Sequence, residues 1–203
     1  MTHLNKITPA DINMDLDAYS AQRPDIRKKM IEMKKDRRQA VGPAVMLYFE
    51  NFETMRYQIQ EMLFSEKGGL EQVEEEMAAF NPLVPNGAEL VATMMLEYSD
   101  PDVRARELAQ LGGIEECVTL SIEGKDGIEK IKATWEQDVD RTAPDGKTSS
   151  IHFLHFNFND TQIKKFKEDD AAIIIAINHP HYGHMAIMPE KTRKSLAMDF
   201  KTT

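Results

Sequence analysis

The chain has 203 residues, 41% of them hydrophobic, with 34 acidic against 25 basic side chains and a net charge of −9 at pH 7. That length supports a single domain with an apolar core and no need of crosslinks, and the lone cysteine, Cys117, excludes an internal disulfide or a CxxC site. An acidic surface gains nothing from releasing counterions on nucleic acid, no apolar run reaches the length of a membrane span, and no signal-peptide core opens the chain, so neither nucleic acid nor membrane is expected and the expected setting is the cytoplasm.

Taken in order, residues 1–22 read as a helical arm, opening on the cap-and-proline pattern Thr8-Pro9-Ala10-Asp11. A single domain then runs over 23–203. Pro24 fits the first turn of a longer helix whose apolar stripe includes Ile26, Met30 and Met33 and which is expected to stop at Gly42-Pro43. Between positions 27 and 38 it carries Arg27, Lys28, Lys29, Lys34, Lys35, Arg37 and Arg38 against only Glu32 and Asp36. On an acidic chain this is a candidate surface for an anion or an acidic partner. The simpler reading is a solvated face with cations near a helix C-terminus. Arg37 and Arg38, next to the break, are placed to turn inward toward a carboxylate such as Glu50 or Glu61.

Val45, Leu47 and Phe49 alternate with Met46, Tyr48 and Glu50, which is strand periodicity, and Asn51 then caps a helix. That helix puts Met55, Ile59, Met62 and Leu63 on one side and Glu53, Arg56 and Gln60 on the other, with Gln58 and Glu61 at the border. A second helix follows Gly68-Gly69, striped by Leu70, Val73, Met77 and Phe80, its acids Glu71, Glu74, Glu75 and Glu76 forming a wet side. Strict alternation returns from Glu89 to Tyr98; a short helix begins at Asp100-Pro101 and ends at Gly112-Gly113. A meander comes next: Val118, Leu120 and Ile122, a turn at Lys125-Asp126-Gly127, then Ile131, Ala133 and Trp135. After Pro144-Asp145-Gly146, the stretch from Ile151 to Phe158 is apolar on both sides and is expected to be central. A short helix from Asn159-Asp160, an apolar strand to Ile177, a return strand and a last helix from Pro189 complete the chain. Strands in consecutive runs with helices first and last predict an α+β fold: a largely antiparallel sheet, or meander, packed by N-terminal and flanking helices.

Chemistry concentrates in two places. His179, His181 and His184 stand in the run His179-Pro180-His181-Tyr182-Gly183-His184, where extended backbone projects the first two to one side and Gly183 lets the third return. Imidazoles in that density are candidate ligands of a divalent metal, zinc or iron. In that reading Glu61 or Glu97 is a base or further ligand, and Arg38 or Arg56 holds a small anionic substrate of a metal-dependent enzyme. The plainer reading is a polar hairpin tip. His152 and His155 point to opposite strand faces and cannot both join one site. No Gly-rich phosphate loop, G-x-S-x-G elbow or H-E-x-x-H is present. The second place is the polar set Arg38, Glu50, Asn51, Arg56, Gln58, Gln60, Glu61 and Glu97, residue types that build a buried network in which arginine forks onto carboxylate.

Arg37-Arg38 with Val41-Gly42-Pro43, Phe49-Glu50-Asn51, Gln58-Ile59-Gln60-Glu61-Met62, Asn81-Pro82-Leu83-Val84-Pro85 and Glu89-Leu90 with Ala92-Thr93 and Glu97 together resemble the bacterial domain-of-unknown-function family numbered 3501. The resemblance runs over most of the chain and is densest between 37 and 97. It implies a cytoplasmic bacterial protein with no established activity, from a family whose genes are often found beside those of rubrerythrin-like and cysteine-rich iron–sulfur proteins. The leading expectation is therefore an accessory or interaction protein in iron-linked redox or oxidative-stress metabolism. A metal-dependent enzyme and a structural homo-oligomer built through the N-terminal arm are the alternatives.

Overall fold

Asp15 starts the first long helix, α1 (Leu16–Lys35), its carboxylate accepting from the Ala18 N–H and so satisfying one free donor of the opening turn. The computed structural model, which describes residues 6–125, 127–135, 141–143 and 146–201, carries this helix through Pro24 rather than starting it there. The proline costs one i→i−4 hydrogen bond, but the buried side chains Tyr19 and Met30 hold both halves to the body of the protein. The helix also ends earlier than the Gly42-Pro43 break suggests. After Lys35 the chain becomes strand β1 (Arg38–Val41), in which Gln39 and Val41 are buried and Arg38 and Ala40 exposed. Gly42, at φ +73°, sits in the turn of a hairpin joining β1 to β2 (Val45–Glu50). A glycine in the left-handed region serves a helix end and a hairpin equally well, which is why the local signal misled.

From there the elements follow the expected order. They are α2 (Phe52–Glu66), α3 (Gly69–Phe80), β3 (Glu89–Leu96), α4 (Pro101–Leu108), a 3-10 turn (Ile114–Cys117), β4 (Val118–Gly124), β5 (Gly127–Lys132), β6 (Thr134–Trp135), β7 (Ile151–Asn157), α5 (Asp160–Lys167), β8 (Ala172–His179), β9 (Tyr182–Ile187) and α6 (Glu190–Ala197). Asn51 and Asn159 cap α2 and α5 as read from the sequence. Asp126, Pro144 and Asp145, in two of the expected turns, lie outside the described residues.

The fold is α+β with antiparallel pairing throughout, and its strands divide over two sheets: β1-β2-β3-β7-β6 and β5-β4-β8-β9. Alternation decides what faces what. Leu47, Phe49, Leu90, Ala92, Met94, Leu154 and Phe156 of the first sheet meet Val118, Leu120, Ile122, Ile173, Ile175 and Ile177 of the second in one core. Each of these side chains larger than alanine, taken from water, contributes roughly 1.5–3 kcal/mol. The other face of the first sheet carries the helical layer, where Phe52, Met55, Ile59 and Leu63 of α2 and Val73 of α3 pack with Val91. Ile7 and Ile12 join this second core, so the start of the arm lies folded against α2 and α3. One end of the sandwich is closed by the edge-to-face rings of Phe158, Phe166 and Phe200.

Tyr182, at the start of β9, ties the two sheets at a corner. Its hydroxyl donates to the Val41 carbonyl (2.9 Å) and accepts from the N–H groups of Ala44 (2.9 Å) and Val45 (3.0 Å).

Candidate functional site

The contact between α1 and α2 is organised by Glu61. Its Oε1 accepts from the Tyr19 hydroxyl (2.6 Å) and from Arg23 Nε (2.9 Å), and its Oε2 accepts from Arg23 Nη2 (2.8 Å). The Arg23 guanidinium also lies over the Phe64 ring, 4.8 Å from its centroid. Hydrogen bonds from Arg23 hold the Glu61 carboxyl below the usual carboxylate range, against the opposing effect of partial burial. Burial, reinforced by Glu61, pushes the Tyr19 hydroxyl well above its ordinary value. With both oxygens occupied, Glu61 is built as a pin between helices.

Beyond this pin, α1, β1, β2 and α2 border an open groove of about 280 Å³. Met30, Ile31, Tyr48 and Tyr57 line it, and Arg27, Lys34, Lys35 and Arg38 give it positive charge. Lys35 is paired with Glu32 at 2.7 Å. Arg27, Lys34 and Arg38 form no ion pair with a carboxylate among the described residues. Lys34 lies 5.9 Å from the Tyr57 ring centroid. Arg38 stands across the β1–β2 ladder from Tyr48, whose hydroxyl donates to Glu97 at 2.7 Å. A smaller chamber of about 170 Å³, between the N-terminal segment, α1 and α2, adjoins the groove through Met30 and Tyr57 and is lined by Asn13, Arg56 and Gln60. On its other side Arg27 and Ile31 also border a shallow groove of about 430 Å³ with Lys28. The cationic face of α1 is thus continuous.

The remaining polar residues singled out from the sequence serve the frame. Glu50 is buried and accepts from the hydroxyls of Thr93 (2.8 Å) and Thr54 (2.6 Å), and Asn51 caps α2. Gln60 clasps the backbone of Asn13, accepting from its N–H (2.7 Å) and donating to its carbonyl (3.0 Å). Asn81 does the same to Ile7 (2.7 and 2.9 Å). Arg56 pairs with Glu53 one turn away, and Gln58 is half-buried. Arg37, not Arg38, turns inward, and its carboxylate is neither Glu50 nor Glu61: its guanidinium binds Asp199 and donates to the carbonyls of Phe49 and Glu50 (both 3.1 Å). The Tyr19–Arg23 pair was missed in the sequence, although its i,i+4 spacing places both on one helix face.

The three histidines of the tip have separate surroundings. His179 is buried, its Nε2 lies 3.2 Å from the Gly112 carbonyl and its Nδ1 accepts from the His181 N–H (3.2 Å). His181 is exposed, with its ring 5.9 Å from that of His179. His184 lies against Tyr182 and directly over Gly42, where an added Cβ would come within 2.5 Å of the imidazole Cγ. Among the described residues no three or more histidine, cysteine, aspartate or glutamate side chains are grouped to hold a metal ion. Of the paired acids, Glu61 belongs to the α1–α2 contact and Glu97 to Tyr48. Cys117 is half-buried, and burial pushes its thiol up. No helix among the described residues is long and apolar enough to cross a membrane.

A search among curated proteins returned no match. A solved structure described as a novel protein of unknown function from Burkholderia pseudomallei superimposes with a TM-score of 0.87 at 34% sequence identity, covering 97% of this chain and 100% of that one. The model of the family described as protein of unknown function DUF3501 matches residues 6–200, which include the groove, its pin and both clasping amides, and the chain belongs to that family.

Proposed function

We propose that the protein is a non-catalytic accessory protein that docks an acidic partner in the α1 groove. The observation that carries this reading is the set Arg27, Lys34 and Arg38, without an ion pair to a carboxylate among the described residues, beside Tyr48 and Tyr57 on a chain of net charge −9. Cations left without carboxylates on an otherwise acidic surface steer and orient a complementary partner. Tyrosine and arginine are the residue types that anchor interfaces, because each brings contact area together with a directional polar group. The iron-linked redox setting implied by the family resemblance supplies the class of partner: a rubrerythrin-like or iron–sulfur protein of the cytoplasm presenting carboxylates.

The test is capture from the native host with the wild-type chain and with an Arg27→Glu/Lys34→Glu/Arg38→Glu variant, followed by identification of the retained proteins. The wild type is expected to retain an iron or redox protein. The variant is expected to bind it on the order of tenfold to a hundredfold more weakly, from about 0.5–1 kcal/mol for each exposed charge contact. Retention of no such protein by the wild type, or equal retention by the variant, ends this reading.

A further inference from the structure

Away from the groove, the connection between α4 and β4 crosses one end of the sandwich and is held by one histidine from each sheet. His179 of β8 contacts the Gly112 carbonyl, and His152 of β7 faces Glu115 in the 3-10 turn. The second contact is the unusual one, because His152 is 1% exposed and Glu115 6%.

His152 Nε2 lies 2.9 Å from the Ser149 carbonyl and 3.2 Å from the Thr148 hydroxyl. A carbonyl can only accept, so Nε2 carries a hydrogen and the neutral ring has its bare lone pair on Nδ1. That nitrogen lies 3.4 Å from Glu115 Oε2, and both atoms are buried without a hydrogen-bond partner among the described residues. Two acceptors facing each other in a dry site are costly, whereas one proton between them makes a hydrogen bond and leaves the pair neutral overall. We propose that His152 and Glu115 share a single proton between Nδ1 and Oε2, and that this proton is the catch that keeps the α4–β4 connection seated. The proton belongs to the pair. Burial pushes the imidazole of His152 below its ordinary value, while the neighbouring Glu115 carboxylate and the Ser149 carbonyl oppose that and favour the proton. The other charged and titratable groups near the pair are Arg141, which disfavours the proton, and Glu116, Cys117 and Lys132, flanking the turn that carries Glu115.

The sign follows from counting protons. In the open form, a free glutamate of pKa about 4.3 and a free histidine of about 6.5 hold none between them at higher pH, while the closed form holds one. The closed form is therefore lost as pH rises, with the opening constant increasing about tenfold per pH unit above about 6.5 until the pair itself gives up its proton. The neighbouring stretch opens with it, because Thr148 N–H donates to the Leu108 carbonyl (3.0 Å) and Gly113 N–H to the Thr142 hydroxyl (3.4 Å).

The experiment is amide hydrogen exchange on the full chain from pH 6.5 to 9, corrected for intrinsic rates, with a nitrogen-15 spectrum of the imidazoles. Protection over residues 112–117 is expected to fall about tenfold per pH unit in the wild type. In Glu115→Gln the side-chain amide donates to Nδ1 without any shared proton, so protection is expected to persist and its pH slope to vanish. A flat wild-type profile, or an unchanged slope in Glu115→Gln, overturns the proposal. Should that variant fail to fold, the wild-type spectrum decides: a titrating Nδ1 supports the shared proton, and one that stays bare across the range while the connection remains protected refutes it.

Discussion

Glu61 illustrates how much a single side chain fixes at the scale of one residue. Three donors from α1, the Tyr19 hydroxyl and two nitrogens of Arg23, occupy both its oxygens. Because its folded value is depressed, the contribution of the Arg23–Glu61 pair is present above the unfolded glutamate value of about 4.3 and is lost as pH falls through the lower folded value. Arg23→Ala is expected to destabilise the chain only modestly at pH 7, because the pair is partly exposed. The part due to the ion pair should shrink in urea denaturation as pH is lowered from 7 toward 3, while the lost packing on Phe64 stays. At this scale the sequence revealed residue types better than partners. Asn51 was legible as a cap because its target lies three residues on, and Glu50 as a buried carboxylate because it ends an alternating strand. Arg37 was legible as inward-turning but not as the mate of Asp199, since 162 positions separate them and no local pattern spans such a distance.

Among elements, the clearest lesson is how the N-terminal segment is attached. Residues 7–13 form no sheet ladder; two amide side chains, Gln60 and Asn81, each offer the backbone the donor and acceptor that a neighbouring strand would. Gln60→Ala or Asn81→Ala is expected to cost about 1–3 kcal/mol by leaving these groups unmatched. Exchange protection should fall over residues 7–13 while α2 keeps its own, and an unaltered N-terminal segment in both variants would show the clasps to be dispensable. Strand alternation in β2, β3 and β4 could be read directly, since burial of one face imposes a period of two, and β8 was legible as a continuous apolar run. Their division between two sheets could not, because alternation names the buried face and not the neighbour across it. The groove stayed hidden for the same reason: its cations were visible as a basic run, but Tyr48 and Tyr57 join them only after the hairpin and α2 fold back.

Over the whole molecule, the buried Arg37–Asp199 pair fastens the segment just after α6 to the C-terminal end of β2. Removing one member strands a charge in the interior, so Arg37→Met is expected to cost about 3–5 kcal/mol, whereas Arg37→Met with Asp199→Leu should recover most of the loss. Denaturation of the two variants side by side measures this, and equal stabilities would show that the pair carries no such coupling. Tyr182 has a consequence of another kind. The seam between the sheets is apolar, with Phe49, Phe156 and Met94 among its aliphatic side chains, and hydrophobic contact is in itself non-directional. A phenolic oxygen has one hydrogen to give and two lone pairs to offer, and at the corner of the hairpin all three are matched at once. It works as an indexing pin, letting the greasy layers stack in a single alignment and thereby deciding where Arg38 and Tyr48, a few residues along the same strands, come to stand.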